Sequence, residues 1–166
     1  YWLIGKLGQK KRLFLPALIV CVLGLAGQMQ TTLRLYYTEE CRYEQDVARA
    51  REMIQSIDRA QGEYPLPVAF VGELSFQGNS ATILGETMGH SFFEHDARME
   101  PASYYSTGRI LGLMRVLGRD YRQLSSDRME EAWEHSYYMP GWPAENSVQR
   151  FEDMIVVKLE YWEEDA

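Results

Sequence analysis

The sequence predicts an α/β chain in which an N-terminal transmembrane helix runs into a small two- or three-layer α/β extracytoplasmic domain with a short mixed sheet. Three observations predict it. Residues 13–33 form a stretch of 21 with no charge. Basic residues gather just before that stretch. Beyond it, helical periodicities alternate with short apolar runs rich in β-branched residues, the pattern of layered α/β structure.

Charge is segregated along the chain. Residues 1–12 hold Lys6, Lys10, Lys11 and Arg12 and no acid, whereas the remaining 13 basic residues face all 24 acids, a balance of −11. The overall charge of −7 leaves no excess of cations to displace phosphate counterions, so no nucleic-acid partner is expected. Hydrophobic residues at 46% and charged residues at 25% exclude a disordered chain. Two cysteines exclude a disulfide-dense scaffold and a four-cysteine zinc module.

The uncharged stretch reads as a membrane span. Its strictly apolar part is 13–27, and Gln28 to Thr32 extend it as interfacial turns to the length a span requires. Pro16 falls in its first turns, where a missing N–H matters least. The basic cluster places 1–12 in the cytoplasm by the positive-inside rule and 34–166 outside it. Two alternatives stay open: a buried helix of a soluble protein, and a cleavable signal peptide with Gly24 and Ala26 at cleavage-compatible positions. A lipoprotein site at Cys21 is disfavoured by the bulky Val20 before it. The opening Tyr1-Trp2-Leu3-Ile4-Gly5, without an initiator Met, reads as the end of an earlier apolar segment of a longer membrane protein. Cys21 and Cys41 lie too far apart along one helix to pair.

Residues 38–60 predict a helix, with Tyr43, Val47, Ala50, Ile54 and Ile57 as its apolar stripe and Asp46 among the charges on the other faces. Gln61-Gly62 ends it. Val68 to Val71, bounded by Pro and Gly, reads as a buried strand. Residues 72–80 are loop, without the glycines or lysine of a phosphate cradle. One or two helical turns at 81–88 and a short strand at Ser91-Phe92-Phe93 are the expectations for the stretch that follows. A helix at 103–117 presents Thr107, Ile110, Leu111, Met114 and Leu117 inward and stops at Gly118. A helix at 127–136 presents Met129, Ala132, Trp133 and Ser136 inward. Segments 148–151 and 154–159, joined at Glu152-Asp153, predict a hairpin. Its consecutive Ile155-Val156-Val157 indicate a strand covered on both faces, beside Val68–Val71. The acidic end, 160–166, is expected to fray.

Few residues offer chemistry. His90 and His95 are five apart and do not share a helical face, so no metal site and no cofactor is expected. No serine sits in a nucleophile elbow. Glu94-His95-Asp96 supplies acid and base groups in a polar segment. The aromatic loop at 137–142, with Tyr138 and Trp142, offers ring faces for a sugar or a membrane interface, or a lid on the core.

Several features, in order, carry a family resemblance: an uncharged helix, Arg42-Tyr43 with Asp46 and Ala50, and a Pro-Val-hydrophobic-Val-Gly strand. Ser91-Phe92-Phe93-Glu94, a Gly-terminated helix, Met139-Pro140-x-x-Pro143, Ser147-Val148 and Ile155-Val156-Val157-Lys158-Leu159 follow. Over most of 28–160 the chain resembles the C-terminal region of the bacterial polytopic glucosyltransferases of the Gtr type, which modify O-antigen and related surface glycans. The resemblance implies a many-helix membrane enzyme that moves glucose from a polyprenyl-phosphate donor to an extracytoplasmic glycan acceptor. It implies catalytic acids in earlier loops outside this chain. The present residues would then be a last membrane helix and an outer domain that binds acceptor or supports architecture. Glu94, His95, Asp96, Tyr138 and Trp142 are the substrate-binding candidates. The competing reading is a membrane-anchored, non-enzymatic binding or assembly module.

Overall fold

A computed structural model describes residues 11–83, 89–94 and 102–160, with side chains described from Phe14 onward and, in the last segment, from Thr107. The basic residues Lys6 and Lys10, part of the 81–88 segment, His95, Asp96 and the acidic end after Glu160 lie outside them. The elements are α1 (Lys11–Gln61), β1 (Val68–Val71), α2 (Ala102–Val116), a 3-10 turn (Ser126–Arg128), α3 (Met129–Ser136), β2 (Val148–Arg150) and β3 (Ile155–Lys158). The chain divides into two compact units, Tyr1–Glu40 with Gly78–Met88, and Cys41–Gln77 with Gly89–Ala166.

In the first unit the uncharged stretch is helical throughout and belongs to α1, a helix of 51 residues. Pro16 sits in the second turn, where its absent N–H removes a single bond to the Arg12 carbonyl. By length and composition α1 can cross a membrane, and none of its most apolar window is buried. Leu15, Val20, Leu23 and Leu25 are all more than 60% exposed. Farther along, the helix carries a docked turn: Arg34 donates to the carbonyls of Ala81 (3.0 Å) and Thr82 (3.2 Å), and the Thr38 hydroxyl accepts from Ile83 N–H at 2.9 Å. Where the expected helical segment is described, Ala81 and Thr82 form a turn and a bend instead, and Ile83 has no regular structure, because these bonds hold them against α1.

In the second unit the sheet order is β1-β3-β2. β1 runs parallel to β3, with Val68 opposite Ile155 and Val71 opposite Lys158. β2 runs antiparallel to β3, with Val148 opposite Val157. The parallel neighbour and the hairpin make the sheet mixed, as expected. Side chains alternate across it. Val68, Phe70, Ile155 and Val157 pack with Ala50, Met53 and Ile57 of α1 and Ile110, Leu113 and Met114 of α2. Ala69, Val71, Met154 and Val156 pack with Leu124, Met129, Ala132 and Met139. Helices therefore cover both faces of the central strands, which makes three layers. Each fully buried Val, Ile or Phe here contributes about 1.5–3 kcal/mol.

The outer edge of β1 is also closed. The Thr107 hydroxyl of α2 accepts from Phe70 N–H at 3.1 Å and donates to Phe70 C=O at 3.2 Å, so the free edge of β1 leaves neither group unpaired. Segment 122–124 continues that edge: Val68 N–H reaches Arg122 C=O at 2.8 Å, and Leu124 N–H reaches Val68 C=O at 3.1 Å. Gly62 ends α1 with φ of 66°, and Arg150 of β2 donates to the Ala60 and Gln61 carbonyls left open there.

Four expectations need correction. Tyr43 is exposed, and the buried side of α1 in this unit runs through Arg42, Asp46, Ala50, Met53 and Ile57. Asp46 is thus on the inner face, and polar bonds compensate its burial. Ser91-Phe92-Phe93 is a turn, not a strand, because side chains rather than a neighbouring strand take its amides. Trp133 faces outward at 38% exposure, since the short α3 presents Met129, Ala132 and Ser136 to the sheet.

Candidate functional site

The second unit holds a polar knot between α1 and two loop segments. Asp46 sits one turn after Arg42 and one turn before Ala50, so helical spacing aims it inward with the core residues. Its carboxylate accepts from the Ser91 hydroxyl at 2.7 Å with one oxygen and from Phe92 N–H at 2.8 Å with the other. The Ser91 oxygen in turn accepts from Phe93 N–H at 3.1 Å. Glu94 returns to Ser91 N–H at 3.0 Å with Oε2, the carboxylate half of a capping box, while the Ser91 hydroxyl takes the Phe93 rather than the Glu94 amide. Glu94 Oε1 accepts from Phe76 N–H at 3.1 Å. Leu74 N–H reaches Phe93 C=O at 3.0 Å, which ties 74–76 to 91–94.

Three arginines surround this knot. Arg42 donates to Gly89 C=O and lies over the Phe76 ring, 5.1 Å from its centroid. Arg49 donates to Ser75 C=O at 2.9 Å. Arg109 of α2 donates to Glu94 C=O. Burial pushes the Asp46 carboxyl above the usual carboxylate range; the bonds from Ser91 and Phe92 and the charge of Arg49 oppose that rise, and Glu94 adds to it. Burial likewise lowers Arg49, against the attraction of Asp46, Glu160 and Glu94. Burial thus works against the charged form of both groups, and hydrogen bonds to Ser91 and Phe92 on one side and to Ser75 on the other compensate it. Such a network fixes a loop's path and offers no open nucleophile.

Glu94, a substrate-binding candidate, therefore spends both carboxylate oxygens on backbone amides. His95 and Asp96 follow it in sequence, outside the described residues. Tyr138 lies at an exposed loop tip, 90% accessible, edge-on to Tyr137 with ring centroids 5.0 Å apart. Trp142 is half-buried and packs against the main core, and its backbone N–H donates to Lys158 C=O at 2.9 Å. No described contact joins Glu94 to Tyr138 or Trp142, so these candidates form two separate places. Composition and spacing overlooked Asp46, Ser91 and Arg109 as parts of one network. The S-x-x-E pattern at 91–94 is the signal that could have shown it.

Among the described residues no group of three or more His, Cys, Asp or Glu is arranged to hold a metal ion. Both cysteines are free thiols. The molecule so defined is a small mixed-sheet α/β region following a long helix with an exposed apolar part. Comparison with protein-family models, with curated proteins and with solved structures returned no match.

Proposed function

We propose that the chain is the membrane-anchored, extracytoplasmic C-terminal domain of a polytopic glucosyltransferase. In this reading the parent moves glucose from a polyprenyl-phosphate donor to a bacterial surface glycan such as O-antigen. α1 is the last membrane helix, with its basic start in the cytoplasm. The outer domain supports acceptor binding and holds the architecture, while transfer chemistry belongs to acids elsewhere in the parent.

One observation carries the reading. Asp46 and the Ser91-Phe92-Phe93-Glu94 run, on which the family resemblance rests, lie in one bonded network although Asp46 and Ser91 are 45 positions apart, and Arg42 lies beside it over the Phe76 ring. Residues that work as one unit are expected to recur together. The network also sets the start of the segment that continues into His95 and Asp96, the expected acceptor-contacting residues. The exposed apolar surface of α1 supports the membrane part of the reading.

The test is glucose transfer by membranes that contain the parent protein, supplied with labelled polyprenyl-phosphate glucose. Label appearing in a surface glycan is the expected result. No transfer to any glycan acceptor contradicts the proposal and favours an anchored binding module.

A further inference from the structure

Within the second unit, a groove with a cavity volume of about 610 Å³ lies between α1 and the loop that leads into β2. Glu52, Gln55 and Arg59 line it from the helix; Trp142, Glu145 and Asn146 line it from the loop. We propose that this groove binds a neutral saccharide, the acceptor glycan of the transferase reading, on which the word acceptor rests.

The lining chemistry selects that class. A sugar ring presents an apolar C–H face and a fringe of hydroxyls that both donate and accept. Trp142 supplies aromatic surface for the first, and carboxylates, amides and a guanidinium supply partners for the second. Two acids against one arginine give no cationic excess for a phosphate or another polyanion. The volume falls in the range of about 300–1,000 Å³ common for small-ligand sites.

The polar groups are available. Among the described residues, the side chains of Glu52, Gln55, Glu145 and Asn146 make no hydrogen bond to protein. Arg59 is steadied by bonds to Gln55 C=O (3.1 Å) and the Ser56 hydroxyl (3.1 Å), and it has five donors in all.

Both walls are preformed. One is a continuous helix. The other is a loop anchored twice on β3, through Trp142 N–H to Lys158 C=O and Lys158 N–H to Ser147 C=O, each 2.9 Å. Two successive turns, Ala144 N–H to Gly141 C=O at 3.0 Å and Ser147 N–H to Ala144 C=O at 3.2 Å, shape it between those anchors. Asn146 takes φ of 68°, a left-handed conformation that asparagine accepts more readily than most residues, and it lines the groove. A wall ordered before binding loses little entropy when a ligand arrives.

The experiment uses the full chain in lipid nanodiscs, with maltotriose, mannotriose and cellotriose as neutral probes and trigalacturonate as the anionic control. Side-chain amide resonances of Gln55 and Asn146 and the Trp142 indole N–H are followed by NMR. Saturable shifts with at least one neutral probe, and none with trigalacturonate, are expected. Gln55→Ala, on an exposed helical position that favours alanine, is expected to weaken binding about tenfold at unchanged Tm. Trp142→Phe should retain binding that Trp142→Ala loses. No saturable shift with any neutral probe overturns the proposal, as does binding that Gln55→Ala and Trp142→Ala both leave intact. Saccharide binding by the chain without glucose transfer by the parent keeps the groove and removes the transferase. Equal transfer by wild-type and Gln55→Ala parents at limiting acceptor removes the groove as the acceptor site and keeps the transferase.

Discussion

The hydroxyl of Ser91 lies 2.7 Å from the Asp46 carboxylate, and the neighbouring Phe92 N–H fills the other carboxylate oxygen at 2.8 Å. One side chain on α1 therefore fixes two consecutive residues of a distant loop. Both side chains of the pair are buried, at 2% and 0% exposure, so water cannot replace a lost partner. Asp46→Ala strands the Phe92 amide and the Ser91 hydroxyl and should destabilise the second unit by about 2–4 kcal/mol. Ser91→Ala leaves the Phe92 bond and should cost about half as much. Urea unfolding of the chain in detergent, followed by near-ultraviolet circular dichroism, measures both.

The raised Asp46 pKa gives the pair a pH dependence of defined sign. The fold prefers the protonated carboxyl more than the unfolded chain does. That contribution is present in full below the unfolded carboxylate pKa and is lost as pH rises through the folded value. Relative to Asp46→Asn, which does not titrate, the wild type should lose stability as pH rises from the ordinary carboxylate pKa through the raised folded one. Parallel unfolding curves of the two proteins at each pH isolate this effect from the other carboxylates. A constant difference would contradict it.

The Thr107 hydroxyl pairs both backbone groups of Phe70 at the β1 edge. Thr107→Val keeps the shape and leaves the Phe70 N–H and C=O unpaired, with an expected loss of about 2–3 kcal/mol. Thr107→Ser retains the bonds and should lose less than 1 kcal/mol. Hydrogen exchange at the Phe70 amide should accelerate in the valine variant and stay slow in the serine variant.

Val156 is fully buried on the sheet face that packs with α3. Val156→Asp buries an unpaired charge there and should unfold the second unit outright. Thermal melting checks it; a wild-type Tm would remove the strand from the core.

The proposed membrane arrangement has its own measurement. Tyr138, at 90% exposure, can be replaced by cysteine without disturbing packing. In a Cys21→Ser, Cys41→Ser background, Tyr138→Cys should react with a membrane-impermeant maleimide added to the outer side of intact cells. Labelling only after lysis would reverse the proposed orientation.

Much of the fold was legible because apolar patterning is local. Val68–Val71 and Ile155–Lys158 announce themselves as two-sided strands, and their adjacency follows from that. The stripe of α2, from Thr107 through Ile110 and Met114, needed only helical spacing. Asp46 was misplaced because its charge marks it as a surface residue, and only the distant Ser91 and Phe92 make burial tolerable. Trp133 was misplaced because residue size favoured the core, whereas the short α3 has room inward for Met129 and Ala132. The groove between Gln55 and Asn146 had no sequence signal, since it joins residues far apart in the chain with no shared motif.

A working role in a glucosyltransferase is proposed for residues 34–166. Its most direct test compares glucose transfer in membranes bearing the intact parent with transfer in membranes bearing a parent that lacks residues 34–166, at matched expression. Transfer by the intact parent and its loss in the truncated form is the predicted result. Equal transfer by both would show that this domain is dispensable to the enzyme and would contradict the account.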